Sequence, residues 1–295
     1  MSRNKKKFDK TAFLFIAPAF VIFTLFIIIP TVSSTYYSFT SWDGVSDDIK
    51  FIGLANYKEI FTSARFGNAL KNTAILTLFI SLFENAIALG LALIVDNVRW
   101  GKNFFRSSFY IPVLISGIVC GFIWKIMYNY NFGTFNSMLQ NMGLGDYKQD
   151  WLGNTSLTLI MIGVVLVWKG AGYYMIIYLA SLQSVSVDLI EAAEIDGANA
   201  WQRFKAITLP LISGAFTINF TLSLIRGLKV FDEINVMTDG GPGFTSETIV
   251  YLLYKVGFNE GRQGFGTAVG IMLLFIIIIL NTVQQKFLRS KEVQM

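Results

Sequence analysis

The chain has 295 residues, 54% of them hydrophobic and only 15% charged, with a mean hydropathy of +0.54. A soluble domain carries about 25% charged residues, so this composition belongs to an integral membrane protein. The absence of histidine and the single cysteine, Cys120, exclude an intrachain disulfide, histidine-based acid–base catalysis and His-bearing metal sites, and the net charge of +5 is better explained by membrane topology than by nucleic acid.

About 20 mostly apolar residues cross a hydrocarbon core, and six segments qualify: 12–39, 72–95, 109–127, 156–182, 207–228 and 265–287. The fold class is therefore all-α integral membrane, with one transmembrane domain over 12–287 between tails 1–11 and 288–295. The first segment follows the basic "SRNKKKFDK". It is too long for the apolar core of a cleaved signal and reads as an uncleaved anchor. Counting lysine and arginine orients the bundle. Thirteen lie in the 61 residues of 1–10, 96–108, 183–210 and 286–295, against eight in the 96 residues of 40–71, 128–155 and 229–264. Both termini and the 183–210 loop are thus expected on the cytoplasmic face.

Glu84, Lys125, Lys169 and Arg226 fall within or at the edges of spans, where charges are costly and face a bundle interior or a watery path. Lys125 and Arg226, near span ends, are expected to snorkel to the interface. Lys169, in the middle of "VVLVWKGAGYYMIIYL", either lines a cavity or pairs within the bundle, with Glu84 as a partner. Glycines four apart, Gly117 with Gly121 and Gly266 with Gly270, favour close helix contacts.

Between the fourth and fifth segments lies "VDLIEAAEIDGANAWQRFKAITLP". Leu189, Ile190, Ala193 and Ile195 supply apolar positions for one short helix, and Ala200, Trp201, Phe204 and Ile207 for a second. Asp196-Gly197 signals the turn between them, and Pro210 marks the entry to the next span. Such an elbow docks into a groove of another protein, lies on the membrane surface or caps its own bundle.

The residues then become more specific. Glu191, Ala192, Ala193, Asp196, Gly197, Ala198, Phe204, Leu209 and Pro210 resemble the EAA signature of ABC importer permeases. "VFDEINVMTDGGPGFTSET" resembles the TxGGP segment of carbohydrate permeases, while "FIGLANYKEIFTSARFGNALKNT" and "SSFYIPVLIS" resemble further pieces of the same core. Together they cover most of 12–287, nearest to the maltose-type sugar permeases. The chain departs from the pattern in having Ser213-Gly214-Ala215 where that family often has another proline.

The resemblance implies a type I ABC importer permease of a bacterial plasma or inner membrane. It implies a second permease chain, a dimer of ATP-binding subunits and an extracytoplasmic solute-binding protein that docks near the 238–242 turn. The 188–210 loop would then be a coupling helix gripped by the ATPase. No G-x-x-x-x-G-K-[ST] loop occurs in the sequence, so ATP and magnesium would be used by those partners, and this chain would be no enzyme and bind no cofactor or metal. By spacing from Glu191, the family's sugar contacts fall on Trp168, Gly170 and Tyr173 in one span and Ser223 in the next. Lys169, Tyr174, Lys229 and Asp232 are supplementary. A self-contained secondary transporter or channel is the alternative; it would need internal coupling groups, and no internal repeat is evident.

Overall fold

A computed structural model describes residues 10–290 and 292. The basic stretch 1–9 and the last residues of the expected C-terminal tail lie outside them. Among the described residues the named elements are helical, and Thr40 and Phe51 form an isolated antiparallel bridge.

The helices used below are α1 (Leu14–Tyr37), α2 (Ala55–Thr62), α3 (Ala64–Asn97), α4 (Lys102–Tyr110), α5 (Gly117–Met127), α6 (Thr134–Asn141), α7 (Thr158–Leu182), α8 (Val187–Ile195), α9 (Ala200–Leu211), α10 (Ser213–Leu228), α11 (Asp232–Met237), α12 (Ile249–Tyr254) and α13 (Gln263–Arg289). Four of them, α1, α3, α7 and α13, are long and apolar enough to span a bilayer. Two bent pairs bring the number among the described residues to as many as six.

Those bends correct the expectation of continuous third and fifth spans. The third turns by 94° between Lys102–Leu114 and Gly117–Met127. Ile115 and Ser116 are extended at the corner, and the Ser116 hydroxyl accepts from the Val119 amide at 3.3 Å to start the new helix. The fifth bends by 66° at Ile212, just beyond Pro210, whose ring denies the backbone a hydrogen-bond donor.

The structure forms two compact units. One comprises the residues up to Thr62 with Leu253–Met272. In it the buried Asn56 amide donates to the Ser38 and Thr40 carbonyls, both at 2.9 Å, and so fixes the chain after α1. Tyr37 stacks on Trp42 at 4.2 Å, and Arg262 pairs with Glu59 at 2.6 Å. The Gly266/Gly270 spacing is used here: a Cβ on Gly266 would lie 2.9 Å from the Gly257 Cα.

The second unit, Ser63–Leu252 with Leu273–Met295, is built around α3, which packs along α7 and α10. Among the described residues its core includes two apolar clusters, one around Leu76, Ile80, Ile162 and Leu166 and one around Ala88, Ala92, Met175 and Tyr178. Gly117 and Gly121 let α5 approach α11, where their added Cβ atoms would meet Asp232 and Val236. At Gly227 an added Cβ would sit 2.8 Å from the Thr77 Cα, so α10 and α3 touch backbone to backbone. Gly227→Val is therefore expected to force the helices apart at a cost of about 1–3 kcal/mol, read as a lower thermal midpoint of the purified protein.

The "TDGGP" turn is held within this unit. Asp239 and Gly240 adopt positive φ of 50° and 79°, and the Gly241–Pro242 bond is cis. Gly240 is required twice over, because the Tyr251 ring would lie 2.6 Å from any Cβ there. The segment after the turn is tied to the start of α3. The buried Glu247 carboxylate receives both Nε and Nη2 of Arg65, while the Asn72 amide reaches the Phe244 and Glu247 carbonyls. Two stretches that resemble separate family motifs are thus one physical assembly.

Candidate functional site: a helical elbow and a polar groove

The elbow is α8, a tight turn and α9. Gly197 sits at φ 80°, with Ala198 N–H donating to the Ala193 carbonyl and Gly197 N–H to that of Glu194. This is the glycine-dependent helix end known as the Schellman motif. The second helix starts with a capping box, in which the Asn199 and Gln202 side chains each accept from the other's backbone N–H. Arg203 clips the two halves together, donating to the Ala198 carbonyl and pairing with Glu194 at 2.9 Å.

The elbow presents large apolar side chains among charged ones. Val187 is 66% exposed, Ile195 88% and Trp201 68%, beside the exposed Glu191, Ala192, Asp196 and Gly197. Ala193, Ala198, Phe204, Leu209 and Pro210 are half-buried. Ile190, Arg203 and Phe204 turn inward. With Leu93 and Leu182 they line a groove of about 460 Å³ against the ends of α3 and α7. The elbow therefore faces the bundle on one side and leaves a mixed apolar and acidic surface open on the other.

Further along the bundle, the residues predicted for sugar contact do not share one face. Trp168 and Tyr173 are both partly exposed, but five residues on a helix turn through about 140°. Trp168 lies edge-on to Trp124 and lines an apolar groove between α3, α4 and α7. Tyr173 lies edge-on to the buried Tyr174. Ser223 is fully buried and accepts from the Asn85 amide at 3.1 Å. Gly170 is buried too, and the space its Cβ would take is filled by the Arg226 guanidinium and the Glu84 carboxylate.

The charges inside the spans arrange themselves differently from the sequence expectation. Arg226 does not snorkel; it pairs with Glu84, which is 0% exposed, and donates also to the Leu166 carbonyl. Lys169 pairs with Glu233 at 2.9 Å and not with Glu84. The reason is reach: Glu84 is enclosed where α3 packs on α7 and α10, whereas Glu233, in the first turn of α11, comes up beside Lys169. Lys125 is exposed at the end of α5 and donates to the Val236 carbonyl at 2.9 Å. Lys169, Arg226, Lys229, Asp232 and Glu233 together line a polar groove of about 410 Å³. Sequence reasoning overlooks Glu233 and Asn85. The signal for Glu233 is one of balance: a lysine and an arginine inside apolar spans each demand an acid, and Glu84 can answer only one of them.

The family described as "binding-protein-dependent transport system inner membrane component" matches residues 85–292, more than half of the chain and a stretch that contains both elbow and groove. The chain belongs to this family. The permease is 34% identical over 295 residues to a probable starch degradation products transport permease, AmyD of Thermoanaerobacterium thermosulfurigenes, covering 99% of each chain. It is 31% identical over 279 residues to a multiple sugar-binding transport permease, MsmF of Streptococcus mutans, covering 95% of each. With a trehalose/maltose transport permease, MalF of Thermococcus litoralis, identity is 32% over 291 residues, covering 99% of this permease and 98% of the relative. Its fold is that of a solved chain from a bacterial ABC transporter importing the acidic polysaccharide alginate, with a TM-score of 0.84, 24% identity and 95% of each chain covered.

Proposed function

We propose that this permease forms half of the sugar path of an ATP-driven importer, with a second permease chain, two ATP-binding subunits and an extracytoplasmic binding protein. The observation that carries the reading is the elbow, a braced projection that sets exposed Val187, Ile195 and Trp201 among acidic Asp188, Glu191, Glu194 and Asp196, while Ile190 and Phe204 face α3 and α7. The lysine and arginine count assigns it to the cytoplasm. Such a projection suits a cleft in a separate motor subunit. ATP and magnesium belong to that motor. Its closure reaches the bundle through Glu191, Ala192, Ala193, Asp196, Gly197 and Ala198, and turns the path from one face of the membrane to the other. The relatives named above, all permeases of sugar-type substrates, support a carbohydrate cargo, here a di- or oligosaccharide.

The polar groove and Tyr173 are assigned to the cargo. Sugar hydroxyls want charged or polar hydrogen-bond partners, and the ring face of a tyrosine takes the apolar face of a pyranose. Gly170 and Ser223 stand one layer behind, packed on the Glu84–Arg226 pair and on Asn85, and Trp168 faces the adjoining side of α7. The "TDGGP" turn, Thr238 to Pro242, has a docking role: it shapes the outer face for the binding protein.

The reading is tested in proteoliposomes holding the full importer. Uptake of radiolabelled oligosaccharide should require ATP on the elbow's side and the binding protein on the other; uptake by this chain alone, driven by a proton or sodium gradient, would refute it. Tyr173→Ala is expected to lower sugar uptake about tenfold, the loss of one good stacking contact, with the ATP-binding subunits still co-purifying. Unchanged uptake kinetics would remove Tyr173 from the path.

A further inference from the structure

A groove larger than either of those two lies elsewhere in the second unit. It has a volume of about 550 Å³ and runs between α3, α4 and α7, walled by Phe79, Phe83, Ile87, Leu91, Phe109 and Trp168. From Phe79 to Leu91 is about 12 residues, about 18 Å along a helix, close to one leaflet of a ~30 Å hydrocarbon core. The groove thus has the length and the chemistry of a single acyl chain.

Its Leu91 end meets a different surface. There α4 carries Lys102 and Arg106 one helical turn apart, with Arg99 exposed just before the helix. Trp100 and Phe104 project outward and are exposed. Basic residues beside exposed aromatics are the pattern of a helix at the lipid headgroup level. Lys102 is already paired with Asp96 at 2.9 Å. Arg106 is placed differently: its Nε is shielded from solvent and has no hydrogen-bond partner among the described residues. It sits within one helical turn of Ser108 and Phe109, which themselves line the groove.

We infer that this groove and Arg106 form a binding site for one anionic phospholipid, with an acyl chain along Phe83, Ile87 and Leu91 and the headgroup phosphate on the Arg106 guanidinium. Charge complementarity chooses this occupant over a protein helix. An apolar slot lined by Ser108 and Phe109, beside a helix whose Arg106 has no acidic partner among the described residues, has the polarity of an anionic lipid, whereas a purely apolar span would bring that guanidinium no countercharge. The inference rests on the 96–108 loop lying at a membrane face, and not on the sugar reading.

The test uses the purified full chain in detergent, titrated with dioleoyl phosphatidylglycerol and, separately, dioleoyl phosphatidylcholine, and read by native mass spectrometry. One phosphatidylglycerol should be retained about fivefold more tightly than phosphatidylcholine, the factor a single basic residue contributes near anionic lipid. Arg106→Gln should erase that preference and Arg106→Lys keep most of it, while Ile87→Trp, which fills the slot, should weaken retention of both lipids. Equal binding of the two lipids, or a preference untouched by Arg106→Gln and Ile87→Trp alike, overturns the site. So does a photoreactive group at position 87 that, in the assembled importer, crosslinks to the second permease and not to lipid. Sugar uptake plays no part in these readouts, so they stand or fall apart from the transport reading.

Discussion

Gly197→Val is expected to abolish ATP-dependent uptake and release the ATP-binding subunits while the permease remains inserted at normal levels. The glycine holds φ 80° at the bend of the elbow, where a β-branched residue is disfavoured by about 1–2 kcal/mol. Nothing lies within 4 Å of the position a Cβ would take, so the harm comes through the backbone and not through a clash. To escape the left-handed conformation the chain must give up the Ala198-to-Ala193 and Gly197-to-Glu194 hydrogen bonds, and α9 then leaves α8 at a different angle. A cleft shaped for one angle does not accept another. Glu191→Lys tests the same surface without touching the bend, since Glu191 is exposed and its reversal leaves the elbow's own hydrogen bonds in place. Co-purification of tagged ATP-binding subunits and uptake into proteoliposomes are the measurements. Full uptake by either variant with the subunits attached would remove the elbow from the coupling path.

How much of this was legible in the sequence depends on what kind of force sets each feature. Hydropathy placed the apolar segments because partition into lipid is a property of composition over about 20 residues. It did not announce the corners at Ser116 and Ile212. Each depends on two or three backbone angles inside a run that is apolar throughout, and Pro112 and Pro210 were the local hints. The elbow was readable because turn chemistry is local: Asp196-Gly197 and Asn199 with Gln202 carry their own hydrogen-bonding instructions. Pairing of distant charges was not readable. Glu84 and Arg226 are 142 positions apart, and Lys169 and Glu233 are 64 apart. Only the packing of α3, α7, α10 and α11 decides which acid meets which base. Gly170 shows the same limit, since a glycine beside Trp168 reads as room for a ligand until the ion pair is seen occupying it.

That ion pair carries the second large effect. Arg226→Leu leaves the Glu84 carboxylate with no countercharge at 0% exposure, its Oε2 already lacking a hydrogen-bond partner among the described residues. Removing one member of a buried pair costs about 3–5 kcal/mol, because the survivor keeps its desolvation penalty and loses the attraction that offset it. A substantial fraction of a membrane domain's stability is at stake, and the expected readout is a sharply lower thermal midpoint in detergent with reduced membrane yield. Glu84→Leu should cost less, since the Arg226 side chain is 29% exposed, borders the polar groove and retains the Leu166 carbonyl. The double variant Glu84→Leu with Arg226→Leu should recover much of the loss, because two apolar side chains in that position bury no charge. If the arginine variant melts like the unaltered permease, the pair is not holding α10 to α3 and α7. If the double variant is as unstable as Arg226→Leu alone, the cost lies in lost packing and not in a stranded carboxylate. Transport then separates structure from use: a double variant that folds but no longer moves sugar would place Arg226 among the groups the cargo meets, since the guanidinium borders the same groove as Lys169, Lys229 and Asp232.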